Sequence, residues 1–176
     1  MVPTGFGRDG TATARHGGVV SITGAIPGEA VRVRALAHRR GVTHARIVEV
    51  LDPSPDRVVP PCAEIANGCG ACPWQHLDLA AQRTAKVDRV AAALGVEVDE
   101  LEPLMPLAAT GFRTTIQAAV DRGRAGFRRY RSHRVVPVAG CLVAHPLLVD
   151  LVTEARYGDA TEVLLRCGSQ IGRAHV

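Results

Sequence analysis

The tightest constraint on this chain is a group of cysteines in the stretch CAEIANGCGACPWQH. Three of the chain's five cysteines lie here, Cys62, Cys69 and Cys72, within eleven residues. The two-residue gap in CGAC lets a tight turn bring two thiolates onto one metal, and this local unit is common to zinc and iron–sulfur sites. Three sulfurs do not complete a site of four ligands, so the spacing predicts a fourth ligand elsewhere in the chain.

Two residues are candidates for the fourth ligand, and the sequence leaves the choice open. His76 would complete a zinc site with three thiolates. Cys141 would instead give four thiolates, which suit either zinc or an iron–sulfur cluster. A third interpretation is that the thiols are unligated and buried. We disfavour it because small hydrophobic residues do not usually gather at ligand spacing in a glycine-rich loop.

Composition restricts the class of protein. The 176 residues are 47% hydrophobic but only 3% aromatic, so one medium domain or two small ones would have an aliphatic core. No apolar run approaches the length of a membrane span, and the N-terminus lacks the apolar segment of a signal peptide. We therefore predict a cytoplasmic protein with no membrane partner and no evident obligate protein partner. In a reducing compartment, clustered cysteines favour metal binding over disulfides.

Positive charge is concentrated in two blocks. The net charge is +4, and the basic residues are twenty arginines and one lysine. Residues 1–50 hold seven arginines against three acids, and residues 111–134 hold seven against one. Guanidinium groups bind phosphate bidentately, so the blocks favour a nucleic-acid partner. An ordinary solvated surface is the alternative.

The order of predicted elements suggests two β-rich regions. Short β-branched runs separated by glycine turns over residues 1–52 indicate a small barrel of the oligonucleotide-binding kind. A helix is predicted after His76, with Gly95 as its C-terminal cap. Beyond it, the sequence predicts a hairpin that turns at DRGRAG, a short helix with Pro146 near its start, and a last strand in ATEVLLRCG.

Several motifs, taken in order, resemble the iron–sulfur branch of the RNA (uracil-5-)methyltransferases. IPGEAVRVR and ARIVEVLDPSPDRVVPPC are similar to that family's TRAM domain. CGACPWQH followed by QRTAKVDRV is similar to its iron–sulfur segment. FRTTIQAAV, AGFRRYRSHRVVPVAGC and EVLLR are similar to its central domain. The resemblance covers nearly the whole chain.

The resemblance implies a fold that is mainly β with some α. It comprises a small five-stranded TRAM barrel of the oligonucleotide-binding type, then an incomplete α+β central domain that carries an iron–sulfur loop. The expected boundaries are 1–54 for the barrel, 55–75 for a proline-rich linker with the cysteine loop, and 76–170 for the partial central domain. Residues 171–176, IGRAHV, match the translation of a common sequencing-adapter oligonucleotide and are expected to be an artefactual tail.

The resemblance also implies the site residues. The family's cluster cysteines correspond to Cys62, Cys69, Cys72 and Cys141, and the implied cofactor is a [4Fe–4S] cluster, so His76 loses the ligand role. The gap between the first two cysteines is one residue longer than in the family, which a loop can absorb. TRAM domains bind RNA, and an aromatic side chain such as Tyr130 can stack an unpaired base. The predicted RNA contacts are Arg32, Arg34, Arg39, Arg40, Arg113, Arg128, Arg129, Tyr130, Arg131, His133 and Arg134.

The family's catalytic machinery has no counterpart in this sequence. An intact enzyme of the family would transfer a methyl group from S-adenosylmethionine to C5 of a uridine in ribosomal or transfer RNA. The chain contains no glycine-rich fingerprint for such a donor, and no nucleophile motif surrounds Cys167, which we expect to be a core residue. We therefore expect a fragment that is inactive alone. The alternative is a free-standing RNA-binding module with a structural metal site and no catalysis.

Overall fold

The computed structural model describes residues 1–102 and 105–168, and these form two units. The first unit comprises residues 1–60 and 73–102, and the second comprises residues 61–72 and the described residues beyond 102. Residues 76–102, which the sequence boundaries placed in the central domain, thus group with the first unit. No helix among the described residues is both long enough and apolar enough to span a bilayer. The predicted artefactual tail, 171–176, lies outside the described residues.

A five-stranded sheet forms most of the first unit. Its strands lie in the order β1-β2-β3-β5-β4, with β3 and β5 parallel and the other neighbours antiparallel. The N-terminal segment is bonded at both edges of this sheet: Thr4 donates to Thr13 of β2, and Met1 exchanges two backbone hydrogen bonds with Val31 of β4. The strands are β1 Gly5–Phe6, β2 Ala12–Arg15, β3 Val19–Thr23, β4 Ala30–Arg39 and β5 Val42–Asp52.

The core of the first unit consists of small and β-branched side chains, as the low aromatic content predicts. Ile22 and Val31 are fully buried, while Arg32 and Arg34, which alternate with the valines of β4, are exposed. This is the period of two expected of a half-buried strand. The buried cluster is Ala12, Ala14, Val20, Ile22, Ala25, Val31 and Ala45.

The predicted helix after the cysteine loop is confirmed as α1, Leu79–Leu94. Asp78 caps its N-terminus by accepting a hydrogen bond from the Ala80 amide at 2.8 Å. Gly95 ends it in the left-handed conformation, with φ of 71°, which is the role that the sequence assigned to this glycine.

A four-stranded antiparallel sheet forms the second unit, in the order β8-β7-β6-β9. Its strands are β6 Thr115–Asp121, β7 Arg124–Arg128, β8 Val135–Pro137 and β9 Glu162–Arg166, and α2 spans Pro146–Thr153. The predicted hairpin turn is confirmed at Arg122 and Gly123, which both have positive φ, as a two-residue turn between twisted strands requires.

The core of the second unit lies between this sheet and α2. Ile116 and Phe127 from the sheet and Leu148 and Val152 from the helix are buried in one cluster. Cys69, Cys141 and Cys167 pack against that cluster from its margin. The described residues form two sheets and two α-helices. This confirms the prediction of a mainly β chain with few helices.

Candidate functional site

The cysteine loop, residues 61–72, is shaped by its own backbone hydrogen bonds. Cys62 precedes a single 3₁₀ turn, Ala63–Ile65, and its carbonyl accepts a hydrogen bond from the Ile65 amide at 3.2 Å. The chain then bends at Gly68, whose φ is 96°, and the Cys69 amide donates to the Glu64 carbonyl at 2.9 Å. The loop therefore folds back on itself and brings Cys69 close to the turn that follows Cys62.

Gly70 lies directly against the turn that connects β7 and β8. Its amide donates to the Arg128 carbonyl at 3.0 Å. A Cβ atom at this position would lie 2.2 Å from the backbone nitrogen of Tyr130, which is far inside van der Waals contact. Only glycine permits so close an approach of two backbones. The glycine in CGAC thus fixes the loop on the β7–β8 turn, a role that spacing alone does not reveal.

All four predicted cluster cysteines lie in the second unit, and each is half-buried. Burial raises the pKa of the Cys69 thiol, and the neighbouring thiols Cys72, Cys141 and Cys62 raise it further, against the effect of a hydrogen bond from the Ala71 backbone. Cys69 and Cys141 also pack against the same core cluster of this unit. A bound cation would reverse the shift and favour the thiolate, which is the form that binds metal.

The four thiols belong to one unit but do not form a preformed coordination shell. Among residues 1–102 and 105–168, no group of three or more His, Cys, Asp or Glu side chains is arranged to hold a metal ion as it stands. The chemistry of the donors does fit a metal centre, because a set made only of sulfur suits zinc or an iron–sulfur cluster. Cys167 is packed at the core, and its amide donates to the Thr114 carbonyl at 3.0 Å.

His76 and Trp74, which follow the cysteines in sequence, belong to the first unit. Burial and the Arg57 charge lower the pKa of His76, so its ring is neutral near pH 7. Its Nε2 atom is buried, and no atom of the described chain hydrogen-bonds to it. The indole of Trp74 donates to the Gly10 carbonyl at 2.6 Å and packs on Phe6. Trp74 thus helps to order the first unit, in which His76 is a buried neutral ring.

The first group of predicted RNA contacts lies on β4 and on the turn after it. Arg32 forms an ion pair with Glu49, so its charge is partly neutralised. Arg34 faces Arg46 of β5 in the strand register, and both are exposed. Like charges directly opposite each other destabilise a sheet, and a bound anion would relieve the repulsion. Arg39 and Arg40 are also exposed, and Arg40 occupies the turn with a φ of 51°.

Arg46 is a candidate contact that the sequence did not indicate. It is one of five exposed residues on β5, and only the pairing of the strands places it beside Arg34. The register shifts three times along the β4–β5 ladder, between Ala30 and Val31, within Arg32–Val33 and within Ala35–Ala37. Bulges of this kind are not deducible from residue alternation, so the cross-strand partner of Arg34 could not be predicted.

The second group of predicted contacts surrounds the β7–β8 turn, except for Arg113, which is exposed just before β6. The turn is fixed by two backbone bonds, Ser132 to Arg129 and Arg129 to Arg134, both 3.0 Å. The Arg131 guanidinium lies 5.5 Å from the centre of the Tyr130 ring, a cation–π contact. A base that stacks on Tyr130 would therefore meet Arg131 as well.

The other residues of the second group differ in their ion pairing and in their exposure to solvent. Arg128 forms a 3.4 Å ion pair with Glu162. The Arg129 guanidinium lies over Gly68 of the cysteine loop, where a Cβ would approach it to 3.0 Å. His133 and Arg134 are exposed. The structure thus gathers this basic block on the turn against which the cysteine loop packs.

Comparison with known proteins identifies relatives that are longer than this chain. An RNA methyltransferase of Streptomyces avermitilis is 36% identical over 96% of this chain, and the 23S rRNA (uracil(1939)-C(5))-methyltransferase RlmD of Halomonas elongata is 36% identical over 89%. The chain spans 44% of the first relative's length and 34% of the second's. No protein-family model matches the chain.

A solved structure shares the fold. The tRNA (uracil-54, C5)-methyltransferase of Pyrococcus abyssi, solved with S-adenosyl-L-homocysteine, superposes with a TM-score of 0.58. The match covers 83% of this chain and 33% of that one, at 22% sequence identity. At this identity the likeness concerns the fold.

Proposed function

Because the chain belongs to the family of RNA methyltransferases that includes the uracil-C5 enzymes, we propose that it is the RNA-recognition and iron–sulfur part of such an enzyme. The observation that carries this proposal is the 36% identity to RlmD over 89% of the chain. The intact protein would transfer a methyl group from S-adenosylmethionine to C5 of a uridine in ribosomal or transfer RNA, in the cytoplasm.

The first unit would act as a TRAM domain that holds RNA by its backbone. Two observations support this proposal. The five-stranded sheet is closed by the bond between Met1 and Val31. In addition, strands β4 and β5 carry exposed arginines. Arg34 and Arg46, which are opposed in register, would share a phosphate, since guanidinium groups bind phosphate bidentately. Arg39 and Arg40 would extend the contact toward the turn.

The second unit would contribute a metal centre and further RNA contacts. Cys62, Cys69, Cys72 and Cys141 lie in this unit, where Cys69 and Cys141 pack against one core cluster, and together the four would hold a [4Fe–4S] cluster. Bound there, the cluster would cross-link the cysteine loop to the segment that carries Cys141. The predicted contacts Arg113, Arg128, Arg129, Tyr130, Arg131, His133 and Arg134 would lie on the RNA side of this unit.

The alternative, an RNA-binding module without catalysis, makes the same prediction about RNA. The enzyme and the binding module differ in one requirement: only the enzyme needs a methyl-donor domain, which the next stretch of the gene would encode. In the enzyme, positioning the donor and the uridine together provides much of the rate enhancement.

The experiment that tests RNA recognition is the salt dependence of binding to single-stranded RNA. The slope of log affinity against log salt falls by about 0.7 for each phosphate contact that is lost. We expect Arg34→Ala to weaken binding and to reduce the slope by up to about that amount, since Arg46 remains beside the same phosphate. Arg32→Ala, two residues away on the same strand, is the control, and it should have a smaller effect because Glu49 already pairs with Arg32. Equal slopes for wild type and Arg34→Ala would contradict the assignment.

A further inference from the structure

A buried carboxylate lies inside the cysteine loop. Glu64 is only 6% exposed, although it stands two residues from Cys62 in a short loop. Carboxylates are almost never buried unless their oxygens are hydrogen-bonded, because burial of an unpaired charge is costly. The contacts that Glu64 makes therefore indicate what it contributes.

Both carboxylate oxygens of Glu64 accept hydrogen bonds, and each bond reaches a different segment. Oε2 accepts from the Asn67 side-chain amide at 3.1 Å, within the loop. Oε1 accepts from the backbone amide of Ala139 at 2.9 Å, and Ala139 precedes Cys141 by two residues. In addition, the Glu64 backbone carbonyl accepts from the Cys69 amide at 2.9 Å. A single residue thus contacts both chain segments that carry the four thiols.

We propose that Glu64 is the positioning residue of the metal centre, where it holds the cysteine loop against the segment that carries Cys141. The proposal rests on the proposed metal site. Residues 62–72 and Cys141 are far apart in sequence, so holding them together before the metal binds reduces the ordering that binding must supply. Hydrogen bonds to the backbone around metal ligands commonly determine how tightly the metal is held.

The first test measures how fast iron leaves the protein. The protein is reconstituted with iron and sulfide under anaerobic conditions, and iron transfer to an excess of chelator is then followed. Glu64→Ala should lose iron at least about 10-fold faster than wild type, the lower end of the affinity loss seen when a group that orients metal ligands is removed. Glu64→Gln, whose side chain has one acceptor atom in place of two, should fall between them. Equal rates for Glu64→Ala and wild type would overturn the proposal.

A matched control separates this role from a general effect of removing a carboxylate. Glu154 is exposed at the end of α2 in the same unit. Glu154→Ala should release iron at the wild-type rate. Asn67→Ala removes only the bond within the loop and should have a smaller effect than Glu64→Ala. An effect of Glu154→Ala as large as that of Glu64→Ala would also refute the specific role.

The second test needs no metal and so distinguishes failure of this inference from failure of the proposed metal site. Amide hydrogen exchange at Ala139 is measured in metal-free wild type, Glu64→Gln and Glu64→Ala. We expect exchange to be at least about 10-fold faster in Glu64→Ala, because the loss of a bond to a charged acceptor costs at least that factor. Unchanged exchange at Ala139 in a folded Glu64→Ala variant would overturn the inference. If wild type takes up no iron, the metal site fails, while this measurement still decides whether Glu64 joins the two segments.

Discussion

At the scale of single residues, the first unit is stabilised by a charged pair in its interior. The Glu29 side chain is completely buried, and Arg57 donates to it through Nε and Nη2 at 2.5 and 2.6 Å. The amides of Ile26 and Ser54 donate to the same carboxylate. Burial acts to raise the pKa of Glu29, but the bonds from Arg57, Ile26 and Ser54 and the Arg57 charge outweigh it and lower the pKa below 4.5. The pair therefore remains ionised at neutral pH.

This lowered pKa makes the stability of the first unit depend on pH. A carboxyl whose folded-state pKa is depressed contributes stability above its unfolded value, and the contribution is lost as pH falls through the folded value. Glu29→Gln should lower the free energy of unfolding at pH 7 by about 3–5 kcal/mol, because it leaves Arg57 without its anion. The deficit relative to wild type should shrink as pH falls below 4.5.

Denaturant unfolding at pH 7 and at acid pH measures this difference. Glu49→Gln is a suitable control, since Glu49 forms an exposed ion pair with Arg32, and such pairs contribute no more than about 1 kcal/mol. A deficit of Glu29→Gln that stays constant from pH 7 to below pH 4 would show that the carboxyl does not titrate as described.

At the scale of elements, the contact between the cysteine loop and the β7–β8 turn depends on Gly70. A methyl group there would collide with the Tyr130 backbone at 2.2 Å, so Gly70→Ala should separate the loop from the turn. We expect Gly70→Ala to reduce iron retention and to lower the melting temperature. Overpacking of this kind typically costs about 1–3 kcal/mol.

Gly140 provides the matched control for this substitution. It lies beside Cys141, and a Cβ at Gly140 would meet nothing within 4 Å. Gly140→Ala should therefore retain iron and melt close to wild type. If Gly70→Ala behaves like Gly140→Ala in both measurements, the close packing of loop and turn is not what holds this site.

Sequence patterns could predict the local elements of the fold, its helix and its hairpin turn. The helix Leu79–Leu94 with its glycine cap and the turn at Arg122–Gly123 follow from local propensity, which acts over a few residues. The strand pairing could not be predicted, because the register shift between Ala35 and Ala37 decides that Arg34 faces Arg46. The role of Glu64 could not be predicted either, because its partner Ala139 is 75 residues away in sequence.

At the scale of the whole molecule, the cysteines and the basic turn belong to one unit, although the sequence separates them widely. Cys62, Cys69 and Cys72 come from residues 61–72, and Cys141 comes from the segment between β8 and α2. A cluster bound by all four would join these segments within the second unit. The relatives are two to three times longer than this chain, so methyl transfer is proposed for the whole protein.

The central proposal is that Cys62, Cys69, Cys72 and Cys141 would hold an iron–sulfur cluster, and metal analysis of anaerobically purified protein tests it most directly. Wild type should be brown and contain iron and acid-labile sulfide in near-equal amounts. Cys141→Ser should lose colour and iron as completely as Cys69→Ser, because each removes one of four ligands. Cys167→Ser should keep both, since Cys167 packs at the core margin. Stoichiometric zinc without iron in wild type, or full iron in Cys141→Ser, would contradict the account.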